Sequence, residues 1–180
     1  MDKGAEALPL SRKLRIADIE EYADHSIAAS HAEMAGIARL LDLLALDGLT
    51  LDYRLHHGAG GRIHLTGQLK ARATQTCVVS LEPVEAVIDV PVEAEFWPAP
   101  LIGDLERKAE DPGQSGLLDW PDAITDGTID LGPIVYETLA TSLELYPKRP
   151  GASFQWSSGA SQAEAPKSGP FAALATLKKP

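Results

Sequence analysis

The spacing of apolar residues predicts a helix in the N-terminal half of the chain. Between Ser30 and Ala45 these residues recur at intervals of three and four, as on one face of a helix. They are Met34, Ile37, Leu40, Leu41 and Leu44. Ser30 and Glu33 have the spacing of a capping box, in which each side chain bonds a backbone amide at the helix start. We therefore predict a helix that begins after Ser30.

From Leu49 onward apolar and polar residues alternate, which is typical of strands buried on one face. The alternation runs through residues 49–56, resumes after the glycine-rich segment 57–61, and appears again in residues 84–96 after a turn near residues 80–83. The sequence predicts a three-stranded antiparallel meander whose apolar face needs cover.

A second helix is predicted beyond the acidic part of the chain. Its apolar residues lie one helical turn apart, and they are Leu131, Val135, Leu139 and Leu143. Asp130 is the expected cap, Pro133 lies in the first turn, and Pro147 ends the run. The predicted fold class is α+β: a small antiparallel β-meander packed by two helices, with an acidic loop and a loose C-terminal tail.

Composition predicts three parts of the chain. We expect an N-terminal segment at 1–29, a single α+β domain at 30–147 that includes an acidic loop at 103–128, and a flexible tail at 148–180. Three apolar residues near the end of the tail recur at intervals of three and predict a short docking segment. They are Phe171, Leu174 and Leu177.

The charge of the chain narrows the classes of partner. It has 16 basic and 26 acidic residues and a formal net charge of -10, which is unlike a general binder of nucleic-acid phosphates, so we expect no DNA partner. No apolar stretch is long enough to span a bilayer, and the first residues lack the apolar core of a signal peptide. We expect a cytoplasmic protein without a membrane partner. The single cysteine, Cys77, fits a reducing compartment.

Three motifs, in this order along the chain, resemble the YceD family, the large ribosomal RNA subunit accumulation proteins. They are TQTCVVSLEP at 74–83, IDLG-x-x-x-x-E-x-L at 129–139 with Tyr-Pro after it, and PFAALATLK at 170–178. The resemblance extends from about Ser30 to the C-terminus. It implies a bacterial protein needed for accumulation of 23S ribosomal RNA, with no known catalytic residues or cofactor. The family-motif positions are Cys77, Asp130, Gly132, Glu137, Tyr146 and Pro147.

One departure from the family pattern concerns metal binding. Many members have C-x-x-C where this chain has Cys77 and Ser80. A lone thiolate needs three further ligands for zinc, and the five histidines show no finger-like spacing. We expect no metal, no other cofactor and no catalytic site. The weaker enzyme hypothesis is a metal-dependent ribonuclease with carboxylates in the acidic loop. They would be Asp104, Glu106, Glu110 and Asp111.

Alternation places six basic side chains on the polar face of the predicted sheet, and we call them the basic stripe. They are Arg54, His56, Arg62, His64, Lys70 and Arg72. Such a stripe can contact RNA phosphates, and its histidines can stack on bases. The alternative is that these residues are cross-strand ion-pair partners, because pairing around residues 78–83 would place Arg72 opposite Asp89. The sequence leaves both interpretations open.

The acidic charge favours a second class of function. An acidic factor can hold a basic ribosomal protein before that protein joins RNA, and residues 104–126 would form the contact. The predicted function is a non-enzymatic ribosome-biogenesis factor of the large subunit. It would act by binding 23S rRNA, its precursor or a basic ribosomal protein, and the acidic chaperone is the alternative mechanism.

Overall fold

The computed structural model describes residues 8–103 and 120–153. Two single-turn 3-10 helices, Ile16–Asp18 and Ala59–Gly61, lie between its strands, and residues 99–103 are helical. The remaining elements, in chain order, are β1 (Lys13–Arg15), β2 (His25–Ala28), α1 (His31–Leu40), β3 (Ala45–His57), β4 (Ile63–Thr76), β5 (Pro83–Pro98), β6 (Asp122–Ile124), β7 (Thr128–Asp130) and α2 (Gly132–Ser142).

Two sheets form the framework. The larger has five strands in the order β2-β3-β4-β5-β6, and the smaller pairs β1 with β7. All pairs are antiparallel except β5 with β6, which is parallel. The predicted α+β class and the β3–β4–β5 meander are therefore confirmed. The sheet is larger than predicted and mixed, because β2 and β6 extend it at its two edges.

Glycines close the β3–β4 hairpin. The Gly58 amide donates to the Arg62 carbonyl at 2.9 Å. Gly60 and Gly61 have φ values of 73° and 76°, which a side chain rarely allows. His56 then pairs with His64 directly across the hairpin. The turn predicted from the glycine-rich segment is present.

The β4–β5 turn has the length that the sequence interpretation assumed but lies one residue earlier in the chain. Thr76 pairs with Pro83, so the turn contains residues 77–82. This register places Lys70 opposite Asp89 and Arg72 opposite Val87. The predicted pairing of Arg72 with Asp89 is wrong by two residues, because moving the turn by one residue changes the partner of every β4 residue by two.

The core lies on one face of the larger sheet. Leu51, Leu69 and Phe96 on this inner face are buried, and Ile37 of α1 and Leu139 of α2 pack into the same cluster. Burial of such side chains is the main favourable term in folding, at roughly 1.5–3 kcal/mol each. The two predicted helices thus supply the cover that the apolar face of the meander needs.

Helix α1 begins as predicted and ends early. Ser30 is its N-cap and forms the reciprocal capping box with Glu33. The helix ends at Leu40, and Asp42 has a φ of 52°, a left-handed conformation that terminates helices. Leu44 is consequently exposed, although its spacing placed it on the helical face.

Residues before Ser30 form part of the fold, although the sequence interpretation placed them in a separate segment. Leu10 is buried in the core, and residues 13–15 and 25–28 add a strand to each sheet. Arg12 donates to both carboxylate oxygens of Glu33, at 2.6 and 2.9 Å. Strands of three and four residues carry too little alternation to be recognised in a sequence.

Asp130 ends β7 and prepares the start of α2. Leu131, not Asp130, occupies the N-cap position, which corrects the prediction. Asp130 Oδ1 accepts hydrogen bonds from the amides of Arg12 at 2.7 Å and Gly132 at 2.9 Å. The carboxylate therefore satisfies an amide of the first helical turn and joins the N-terminal segment to the helix.

Part of the predicted acidic loop is ordered secondary structure, because β6 and the first residue of β7 fall within its bounds. The four acidic residues proposed for a ribonuclease and the docking segment Phe171, Leu174 and Leu177 lie outside the described residues. In the ranges that the structure describes, no helix is long and apolar enough to cross a membrane.

Replacing Gly132 with alanine should destabilise the fold. A Cβ at this position would lie 2.1 Å from the Leu10 carbonyl oxygen, so the backbone of the N-terminal segment would have to move. We expect a loss of about 1–3 kcal/mol in the free energy of unfolding, measured by denaturant titration. Gly48→Ala is the matched control, since a Cβ there has no neighbour within 4 Å. Equal stability of the two variants would contradict the close approach.

The Arg12–Glu33 pair should make stability depend on pH. Hydrogen bonds from Arg12 and then from the Ser30 amide hold the pKa of Glu33 at about 2, below its ordinary 4.5. The unfolded chain therefore takes up this proton first, and the stabilisation is lost as the pH falls from about 4.5 toward 2. Glu33→Gln should lose less unfolding free energy than the parent protein over this interval. Exposed Glu20→Gln is the control, and an equal response of Glu33→Gln and the parent would refute the effect.

Candidate functional site

The solvent side of β3, β4 and β5, opposite the core, carries the basic stripe, and we call it the outer face. Inner-face residues such as Leu55, Leu65 and Ile88 are buried, whereas the residues between them are partly or fully exposed. The predicted alternation thus places the candidate residues on one face.

Two of the predicted cations on the outer face form ion pairs. Arg54 Nε donates to Asp24 Oδ1 at 2.6 Å, and the Lys70 ammonium lies 3.6 Å from Asp52 Oδ2. The carboxylate of Asp24 raises the pKa of Arg54, so this guanidinium stays charged and paired. The ion-pair interpretation therefore describes these two residues better than an open phosphate-binding stripe does.

Arg62 stacks on an aromatic ring. Its Cζ lies 3.8 Å from the centre of the Trp97 ring, a close cation–π contact. Arg62 Nε is buried without a hydrogen-bond partner among the described residues. The guanidinium is thereby held against β5, and Arg62 is less available to phosphates than an exposed arginine. Arg72, in contrast, lies opposite the exposed apolar residue Val87.

The two histidines of the stripe belong to a stack of three rings. The ring centres of Tyr22 and His56 are 5.3 Å apart with planes at 10°, and those of His56 and His64 are 4.9 Å apart at 13°. We call Tyr22, His56 and His64 the ring stack. Its outermost member, Tyr22, is 63% exposed and has a φ of 58°. The stack therefore ends in an aromatic ring that solvent reaches.

Glu95 fixes the inner end of the ring stack. One carboxylate oxygen lies 3.0 Å from His64 Nδ1, and the other accepts a hydrogen bond from Trp97 Nε1 at 2.7 Å. Because His64 and Glu95 are directly paired across β4 and β5, the contact follows from the register. A single carboxylate thus joins the ring stack to the Arg62–Trp97 pair.

A cleft of about 720 Å³ opens beside these groups. Trp120, which is 51% exposed, contributes a further ring to it, and Asp122 and Glu137 contribute carboxylates. Burial raises the pKa of Asp122, and the nearby charge of Glu137 raises it further. The cleft offers aromatic surfaces and hydrogen-bond acceptors, and its acidic groups disfavour a bound phosphate.

Cys77 is buried in the β4–β5 turn. Its Sγ accepts amide hydrogen bonds from Val79, Ser80 and Arg149, each at 3.4 Å. The Arg149 amide first, then the Ser80 hydroxyl and the other two amides, lower the pKa of the thiol from 9.0 to about 6. The Val78 amide also donates to the Pro147 carbonyl, so the turn is bonded to the segment after α2.

The other family-motif positions have different environments. Pro147 is buried against the Cys77 turn, and Gly132 allows the close approach of the N-terminal segment. Glu137 and Tyr146 are exposed. Their exposure leaves these two side chains available to a partner.

Sequence reasoning missed three residues of the site. Glu95 and Trp97 have the same parity as the polar residues of β5, so alternation alone could have placed them on the outer face. Tyr22 gave no signal, because its contact with His56 depends on a hydrogen bond from the Tyr22 amide to the Leu55 carbonyl at 3.0 Å. Contacts between segments so far apart in the chain are set by tertiary structure.

Comparison with protein families identifies the chain. The family model described as large ribosomal RNA subunit accumulation protein YceD matches residues 65–178. The chain belongs to the YceD family. The match begins later than the resemblance noted from the sequence, and it includes most of β4 together with β5, the Cys77 turn and α2. No curated protein and no solved structure matches the chain.

Membership of the YceD family connects this protein to accumulation of the large ribosomal RNA. Among residues 8–103 and 120–153, no three histidine, cysteine or acidic side chains lie together as metal ligands would. The expectation that the protein holds no metal stays a prediction, since the acidic residues at 104–111 are not described.

The Cys77 thiol should ionise near neutral pH in the folded protein. Its folded pKa is about 6 against an ordinary 9.0, so the unfolded chain binds more protons between these values. The free energy of unfolding should therefore rise as the pH increases from about 6 to about 9, and this rise should shrink in Cys77→Ser. Thiolate absorbance gives the ionisation midpoint directly. A midpoint near 9 in the folded protein would contradict the predicted role of these hydrogen-bond donors.

Proposed function

We propose that this YceD-family protein supports accumulation of 23S rRNA in the cytoplasm by binding unpaired bases of the rRNA or its precursor, without a catalytic step. The observation that carries the proposal is the ring stack on the outer face, which ends in the exposed ring of Tyr22. Single-stranded RNA is commonly bound by stacking of bases on aromatic and imidazole rings.

Base stacking fits the electrostatics better than phosphate binding does. The protein has a formal net charge of -10, and Arg54 and Lys70 already have carboxylate partners. A paired cation releases few counterions when it meets a phosphate, so it adds little affinity. Stacking on a ring contributes about 1–3 kcal/mol per base, and this attraction is between ring faces and not between opposite charges.

The carboxylates around the ring stack suit the edges of bases. Glu93, Glu95 and Asp122 line the same cleft and can accept hydrogen bonds from amino and imino groups. Base pairing occupies the imino groups and one hydrogen of each amino group, so unpaired bases offer more donors than paired ones. The site therefore favours loops or single-stranded stretches of rRNA over duplexes.

Removing the exposed ring should weaken RNA binding. Tyr22→Asn deletes the ring and suits the left-handed backbone at this position, whereas Tyr22→Phe keeps the ring. We expect Tyr22→Asn to lower the affinity for a single-stranded oligoadenylate by about tenfold, the loss of one stacked base, with Tyr22→Phe close to the parent. Fluorescence anisotropy over a salt series measures both the affinity and its salt dependence.

The double variant Arg54→Ala, Arg72→Ala separates the two modes of binding. Stacking predicts little change in affinity and a shallow dependence on salt, because few phosphates are neutralised. A strong loss of affinity with a flatter salt dependence would instead support phosphate binding by the basic stripe.

In cells, Tyr22→Asn should fail to restore the 23S to 16S ratio of a deletion strain, and Tyr22→Phe should restore it. Restoration by both would exclude the ring stack from the function.

A further inference from the structure

The edge of β5 is open along most of its length. β6 pairs only with residues Phe96, Trp97 and Pro98. Among the described residues, no strand pairs with this edge between residues 83 and 95. An unpaired edge presents a row of amide and carbonyl groups that another strand can bond.

The hydrogen bonds of the neighbouring strand show which residues face this edge. The Thr74 carbonyl accepts from the Leu44 amide on the β3 side, so even-numbered residues of β4 direct their backbone groups toward β3. Odd-numbered residues of β4 face β5, where Ala71 pairs with Ile88. The even-numbered residues of β5 are therefore bonded to β4, and its odd-numbered residues face the open edge. Pro91 fits this pattern, since its nitrogen cannot donate to β4.

The side chains at these odd positions are acidic and exposed. Glu85, Asp89 and Glu93 lie on the outer face, and Val87 between them is 75% exposed. Side chains two residues apart on a strand are separated by roughly 7 Å. Asp89 accepts a hydrogen bond from Gln68 Nε2, and the nearby ammonium of Lys70 is 3.6 Å from Asp52. An acidic row thus accompanies the open edge from the Cys77 turn toward the ring stack.

We propose that the β5 edge at residues 83–90 binds an extended segment of a partner protein, rich in lysine and arginine, as an added strand. The partner backbone would bond the outward-facing groups of Glu85, Val87 and Asp89. Cations at alternate positions would meet the two carboxylates, and the aliphatic stem of the cation between them would cover Val87. This surface is separate from the ring stack and does not depend on RNA binding.

The negative charge of this edge favours a cationic segment over a second copy of the chain or RNA. A second copy paired edge to edge would place two acidic rows together, which is unfavourable. RNA suits residues 83–90 less well, because its phosphates would be repelled by Glu85 and Asp89. A cationic extended segment is the partner whose backbone and side chains both complement this edge.

Two peptides of identical composition test the proposal on the full-length protein. Acetyl-KVKVKVK-amide alternates its cations as a strand requires, whereas acetyl-KKVVVKK-amide does not. We expect the alternating peptide to bind at least about tenfold more tightly by calorimetry. On binding, hydrogen exchange should slow at the amides of Glu85, Val87 and Asp89, with little change at Ala86 and Ile88, which β4 already protects.

Charge variants supply the matched control. Glu85→Gln with Asp89→Asn removes two charges and keeps side-chain size, and it should weaken binding of the alternating peptide by about tenfold. Glu20→Gln with Glu21→Gln changes the net charge equally at exposed positions away from β5, and it should have little effect. Thermal unfolding checks that both variants retain the fold.

Three results would overturn the proposal. Equal binding of the two peptides would show attraction by charge alone. Equal weakening by both pairs of variants would show that the position of the acidic row is irrelevant. Slow exchange at Val87 and Asp89 in the free protein would show that a segment of the same chain already occupies the edge.

Discussion

The antiparallel register of β3, β4 and β5 is the constraint on which the other features depend. Side chains alternate between the two faces of a strand, so a shift of one residue would exchange the core with the outer face. The observed register buries Leu51 and Leu69 and, with the same alternation, aligns His56, His64 and Glu95 across three strands. The hydrophobic effect thus determines where the polar groups of the site stand, although none of them contributes to the core.

The sequence predicted what depends on local pattern. The meander, the capping box at Ser30 and the face carrying the candidate residues all follow from spacing along the chain. The prediction failed where long-range contacts decide the outcome. Residues before Ser30 join the fold because Leu10 and Arg12 find partners on distant elements. The pairing of Arg54 with Asp24 and the stacking of Tyr22 on His56 could not be inferred, since both depend on how that segment lies beside β3.

The structure changes how an acidic protein of this family can be connected with ribosomal RNA. The basic residues that suggested phosphate contacts are largely occupied: Arg54 and Lys70 by carboxylates, and Arg62 by the ring of Trp97. Besides Arg72, what remains accessible is aromatic at one end of the outer face and acidic along β5. An aromatic end and an acidic edge suit different ligands, so the two surfaces can be occupied together. A protein with both could bring an RNA segment and a cationic protein segment close to each other.

Pro91 has a consequence for the solubility of the protein. A long, flat, open strand edge is a template for continuous sheet growth, and such growth needs an unbroken series of backbone donors. Pro91 interrupts that series near the middle of β5, because it supplies no amide hydrogen to an incoming strand. A short segment can still pair beside the interruption, whereas a ladder along the whole edge cannot form without a gap. The edge can therefore pair with a short segment, whereas fibrous assembly along its whole length is disfavoured.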